Sequence, residues 1–152
     1  MAEVHGEKFN NGDNCEILSF VSPDRKIEMD IIDIDQEYPA GDFGERWSIN
    51  ERSNMMAILA SGSGRIAVRE TVEGVTKVVV TEFGVQNAAY VPAGRPYSWQ
   101  SNPDERLMVT AAFVPPFEAD QYRIMTTEEL KPIEDDVFFN VTLDSIHKRG
   151  RD

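Results

Sequence analysis

Only two histidines, His5 and His147, and a single cysteine, Cys15, occur in the chain. One thiol closes no intrachain disulfide, so no cystine framework is expected. Both histidines lie in the terminal segments and read as solvated surface residues. No apolar run reaches the roughly 20 residues that span a bilayer, and no early apolar segment resembles a leader. Neither a membrane span nor a signal peptide is therefore expected. Positive charge is scarce too, with 15 Lys and Arg against 27 Asp and Glu for a net charge of −12. Nucleic acid and anionic membrane both require clustered Lys and Arg. Neither is an expected partner, and the acidic excess reads as a solvated surface. The sequon Asn140-Val141-Thr142 carries no weight without a secretion signal, and the cytoplasm is the expected compartment.

What is present is a chain of 152 residues, the size of one domain, with 41% hydrophobic and 28% charged residues. It is punctuated by turns. Ile17 to Val21 is a short apolar run closed by Ser22-Pro23-Asp24. Ile27, Met29 and Ile31 alternate with Glu28 and Asp30, the period of a half-buried strand. The pattern changes parity at Ile31-Ile32, where a bulge is expected. Pro39 to Gly44 is a loop. Trp47 to Arg52 and Met55 to Ala60 are further strands, the second ending at Gly62-Ser63-Gly64. Ile66 to Val72 and Val75 to Phe83 form a hairpin around Glu73-Gly74. Ala88 to Val91 and Leu107 to Val114 follow. Helix is confined to one short turn opened by the Thr-x-x-Glu capping box of Thr126 and Glu129 and stopped at Pro132. Many short strands with little helix predict an all-β sandwich or barrel. A single domain is expected, with a barrel over about 17–117, a polar N-terminal arm over 1–14 and a C-terminal extension over 118–152.

The most specific stretch is Gly84 to Asn102, GVQNAAYVPAGRPYSWQSN. Pro92 presets φ, Gly94 permits a tight reversal, and Tyr97, Trp99 and Ser101 then share one strand face. With its exit through Leu107–Val114 and Pro115-Pro116-Phe117, it resembles the second signature of the cupin family. Gly84, Pro92 and Gly94 stand where the family has its glycine, proline and second glycine. Tyr97 stands where it places a metal-binding histidine. The resemblance extends over about 27–117 and implies a single cupin-type β-barrel, a double-stranded β-helix or jelly roll. Anchoring the family's first signature on Gly62 puts its glutamate at Met55. Its paired histidines then fall on Ile49 and Glu51, or on Ser48 and Asn50. The resemblance thus implies a small cupin with its metal-binding histidines replaced. Transition metals favour imidazole and thiolate donors, so no metal and no cofactor is expected. The route left for an imidazole is His5 carried into a partner's barrel by an exchanged N-terminal strand.

A small antiparallel barrel with one open mouth commonly holds one small molecule. By parity, Tyr97 and Trp99 face inward opposite Met55, Ala57 and Leu59. Ser48 and Asn50, or alternatively Glu51 with Trp47, complete the polar end. The candidate ligand-binding residues are Ser48, Asn50, Met55, Tyr97 and Trp99. The expected function is metal-independent binding of a small organic molecule, non-catalytic or weakly specialised. The alternative is a metal-free isomerase, epimerase or cyclase in which Tyr97 donates or accepts a proton and Glu51 is its counterpart. A phenol titrating near pH ~10 is a poor base at neutral pH, although it can donate. Arg52, Arg65 and Arg69 read as surface charges. Open sheet edges and the apolar segments Ile31–Ile34 and Val137–Val141 lead to an expected homodimer.

Overall fold

The computed structural model describes residues 3–10, 15–34, 47–102, 104–134 and 137–141. The Asn-rich turn at 11–14, the loop at 39–44 and His147 lie outside the described residues. The strands are β1 (Glu7–Asn10), β2 (Cys15–Val21), β3 (Glu28–Ile34), β4 (Ser48–Asn50), β5 (Asn54–Ser61) and β6 (Gly64–Val72). They continue as β7 (Val75–Glu82), β8 (Ala88–Val91), β9 (Tyr97–Ser101), β10 (Leu107–Val114), β11 (Tyr122–Ile124) and β12 (Val137–Val141). One helix, α1 (Thr127–Glu134), and a 3-10 turn at Ala119–Gln121 complete the described elements. Two six-stranded sheets result, in the orders β1-β2-β3-β10-β5-β8 and β11-β4-β9-β6-β7-β12. This is the expected all-β jelly roll, built as two facing sheets.

Local chemistry explains the elements. The β6–β7 hairpin turns on Glu73 and Gly74, at φ 53° and 79°. Positive φ at both central residues matches the right-handed twist of the flanking strands. Along β10, Leu107, Val109, Ala111 and Phe113 point inward while their neighbours face out, and β5 alternates in the same way. The inward residues of both sheets meet in a core of Ile32, Ile34, Met55, Ala57, Ile66, Tyr97, Trp99 and the β10 set. A second cluster lies on the other face of the second sheet, where Met125 and Leu130 cover Trp47, Ile49, Ala67, Val78 and Val80.

Several elements differ from the sequence reading. β3 keeps one register with both β2 and β10 along its length, so no bulge forms at Ile31-Ile32. Its buried positions are Glu28, Asp30, Ile32 and Ile34, while Ile27 and Met29 are exposed. Part of the N-terminal arm is a strand, because β1 pairs with β2 from Glu7↔Ser19 to Asn10↔Glu16. Beyond residue 117, β11 and β12 extend the second sheet. The capping box forms, with the Glu129 N–H donating to Thr126 Oγ1 at 3.3 Å and the Thr126 N–H to Glu129 Oε1 at 3.1 Å. The helix nonetheless runs through Pro132 to Glu134. In so short a helix, proline removes a single N–H donor near the end.

A buried glutamine holds β4 in place. Gln121 is 1% exposed, and its Oε1 accepts the N–H groups of Arg52 at 2.7 Å and Ser53 at 2.8 Å. Its Nε2 donates to Ser53 Oγ at 2.8 Å, and that hydroxyl donates to the Pro115 carbonyl at 2.7 Å. Every polar group in this knot has a partner, which is the condition for a buried polar network to stabilise. Gln121→Leu would strand two buried N–H groups. It should lower unfolding free energy by about 2–4 kcal/mol in denaturant titration, with an unchanged m-value.

Candidate functional site

The two sheets enclose a cavity of about 680 Å³ between their inner faces. Ser48 and Asn50 of β4, Met55 of β5, and Tyr97 and Trp99 of β9 all line it. Of the two parities open for residues 47–51, the structure turns Ser48 and Asn50 inward. Trp47 packs in the second cluster on the opposite face. Glu51 is exposed, and its Oε1 accepts from Arg123 Nε at 2.7 Å. Arg123 also reaches Glu129 at 2.6 Å. The structure does not bring Glu51 to Tyr97, because β4 ends at Asn50 and the chain turns outward there. Arg52 is a surface charge bound to Asp120, while Arg65 is half-buried and bonded to Gln100.

The signature turn sets the polar end. Gly94 sits at φ 81°, open to glycine and strained for side chains. Its N–H donates to the Asn50 carbonyl at 2.7 Å. The turn therefore fixes the backbone from which Asn50 projects. Asn50 is 3% exposed, and neither its amide nitrogen nor its amide oxygen has a hydrogen-bond partner. The Ser48 hydroxyl meets the Tyr122 hydroxyl at 2.9 Å. Aromatic rings form much of the remaining wall. Tyr97 meets Trp99 edge to face at 5.9 Å, Phe113 meets Phe117 at 5.8 Å, and Phe117 meets Tyr122 at 6.0 Å.

β3 contributes what the sequence reading passed over. Glu28 and Asp30, each 4% exposed, face the cavity beside Ser19 of β2. The two carboxyl groups act on one another, and Ser19 acts on both. Burial, then the Asp30 hydrogen bond and charge, push Glu28 up to about 8. Burial raises Asp30 as well, while hydrogen bonds from Glu28 and Ser19 hold it down. Both carboxyl groups therefore hold a proton to higher pH than carboxylates in water do. Asp30 Oδ1 has no partner and is the unused acceptor of the pair.

His5, Glu7 and Phe9 of the N-terminal segment and Arg25 of the β2–β3 turn also line the cavity. His5 thus belongs to its own chain's cavity. The unused signal was the parity of Ile32 and Ile34. Carried back two and four residues without a bulge, it puts Asp30 and Glu28 inside. Among the described residues, no three His, Cys, Asp or Glu side chains converge as a metal-ligand set, and no helix is long and apolar enough to cross a membrane.

A raised carboxyl makes stability depend on pH in a definite direction. Between pH 4.5 and about 8, folded Glu28 keeps a proton that the unfolded chain has released. The unfolded state then binds fewer protons, so stability falls as pH rises through that window and levels off above it. At ~1.4 kcal/mol per unit, the loss amounts to a few kcal/mol. Melting temperatures recorded across the window should fall for the native chain, and Glu28→Gln should flatten the curve.

No protein-family model matches the chain, and no curated protein does. Solved structures do. A variant of Streptomyces PAC13 with uridine superposes with a TM-score of 0.58 at 14% identity, over 80% of this chain and 86% of that one. PAC13 is described elsewhere as a nucleoside dehydratase. Hazelnut (Corylus avellana) vicilin matches at TM-score 0.57 and 13% identity, over 80% of this chain and 32% of its own. An oxalate decarboxylase gives 0.57 and 14%, over 78% and 30%. At such identities the likeness establishes architecture alone, and that architecture is the cupin-type jelly roll.

Proposed function

We propose that this chain is a metal-independent cupin-fold protein whose interior binds one small, neutral, flat organic molecule. The observation that carries the reading is Asn50, an amide buried in the cavity wall with both its donor and its acceptor unused. A buried polar group without a partner costs about 1–3 kcal/mol. A ligand offering an acceptor beside a donor, as a lactam or imide does, would relieve that cost. The volume, about 680 Å³, falls within the roughly 300–1,000 Å³ of small-molecule sites. Aromatic walls favour a planar ring. An anion would meet Asp30 and Glu7 inside a chain of net charge −12, so neutrality is favoured. A barrel of similar fold has been solved with uridine, a neutral molecule with a flat ring. The catalytic alternative built on Tyr97 and Glu51 loses its second member, since Glu51 is engaged outside.

The test is a thermal-shift and fluorescence screen of neutral aromatic lactams and imides. A true ligand should raise the melting temperature and change the emission of Trp99, and the change should survive Trp47→Phe. Asn50→Leu should raise the stability of the free protein by about 1 kcal/mol while weakening binding at least tenfold. No hit across the screen, or binding unchanged in Asn50→Leu, would sink the reading.

We further propose a homodimer, formed on a face other than the one read from the sequence. Ile32 and Ile34 are spent in the core, and the 137–141 segment pairs with β7. The outer face of the first sheet carries a row of Met29, Ala112, Met56 and Tyr90, with Ile58 beside it. Met29, Met56, Ile58 and Tyr90 are all exposed, and an apolar patch of this kind favours a self-complementary contact. Light scattering should report a dimer that Ile58→Glu converts to a monomer with an unchanged circular dichroism spectrum. A monomeric native chain would disprove it.

A further inference from the structure

We infer that Glu28 and Asp30 are the proton-transfer pair of the cavity, acting on a neutral, planar carbonyl compound with an acidic C–H beside its carbonyl. The inference rests on the small-molecule reading of the cavity and adds chemistry to it. Three independent features support it. The two carboxyl groups are buried two residues apart on the inner face of one strand, and both line the cavity. Asp30 Oδ1 is buried without a partner on a residue that lines the cavity. The Asn50 amide, equally buried and unpartnered, lines the same cavity and supplies an N–H donor. A carboxyl group with an unused oxygen, a second carboxyl group beside it and a free amide donor are the parts that carbonyl isomerisation needs.

The step balances without any oxidant, reductant or added group. Asp30 takes the proton from the carbon beside the carbonyl. The C–H electron pair moves into a new C=C bond, and the carbonyl π pair moves onto oxygen, giving an enolate that the Asn50 amide N–H can stabilise. Glu28 then delivers its own proton to the enolate, at a second carbon for a double-bond shift or at the opposite face for an epimerisation. The proton on Asp30 passes to Glu28 beside it, and the pair is restored. The product is an isomer of the substrate. A carboxylate whose proton affinity is raised by burial is a stronger base than one in water, which favours removal of a carbon-bound proton.

Oxindole is a suitable probe: neutral, flat and aromatic, with N–H and C=O side by side and an acidic CH₂ next to the carbonyl. In deuterium oxide, the native protein should bind oxindole and speed exchange of its CH₂ hydrogens, followed by NMR. Asp30→Asn should still bind it while exchange falls by about 10²–10⁴-fold. Glu28→Gln should bind it and show a smaller loss. Thermal melts of both variants establish that they are folded. Binding without exchange above buffer, or exchange undiminished in Asp30→Asn, would overturn the catalytic inference and leave the binding site standing. Failure of oxindole and of every other lactam in the screen to bind would remove both.

Discussion

Two carboxyl groups buried on one inner strand face resist ionising together, and the interior of this protein is arranged around that constraint. Glu28 and Asp30 stand two residues apart on β3, buried to the same degree. One retained proton turns a repulsive pair into a donor and an acceptor. Ser19 from β2 acts on both. The straight register of β3 against both neighbours follows, since a one-residue slip would carry the two acids outside and Met29 inside.

The opposite wall is built by backbone bonds. β4 has only three residues and pairs with β9 at a single described position, Ser48↔Tyr97. Alone that would place Asn50 loosely. Gln121 fastens the chain just past it at Arg52 and Ser53, and the Gly94 N–H fastens Asn50 itself. Pairing of β11 with β4 completes the support. On the reverse side, Trp47 and Ile49 are packed under Met125 and Leu130, so β4 is held from both faces. An unpartnered amide can stay buried there because its position is set by main chain and packing, with no help from its own side-chain bonds.

Much of this was readable from the residues. Turn chemistry and period-two alternation placed β5, β6, β7, β8 and β10 to within a residue or two, because in those strands apolar side chains face inward and nothing competes with that rule. The Pro92-Ala93-Gly94 turn located the inward-facing Tyr97 and Trp99. The reading failed on β3, where the same rule was applied to a strand whose inward positions include two acids. Hydrophobic alternation cannot distinguish a carboxylate facing water from one facing a cavity. It reported Ile27 and Met29 as core when they are exposed, and created a bulge to reconcile them with Ile32 and Ile34. Glu51 posed the reverse difficulty: an acid beside a signature strand drew attention, while its partner Arg123 lay 72 residues away and could not be foreseen from spacing. β1 was missed because four residues with one aromatic carry too little pattern to separate a strand from an arm.

The bond from Gly94 to the Asn50 carbonyl has a wider meaning. It reads nothing of the side chain at position 50, so it would hold an imidazole, an amide or a methyl group equally well. Scaffold and chemistry are thereby separable. A change of side chain at position 50 leaves that main-chain bond in place. The turn is then silent about what occupies the cavity. The acids of β3 lie away from that turn and give the cavity a chemistry that the turn does not set.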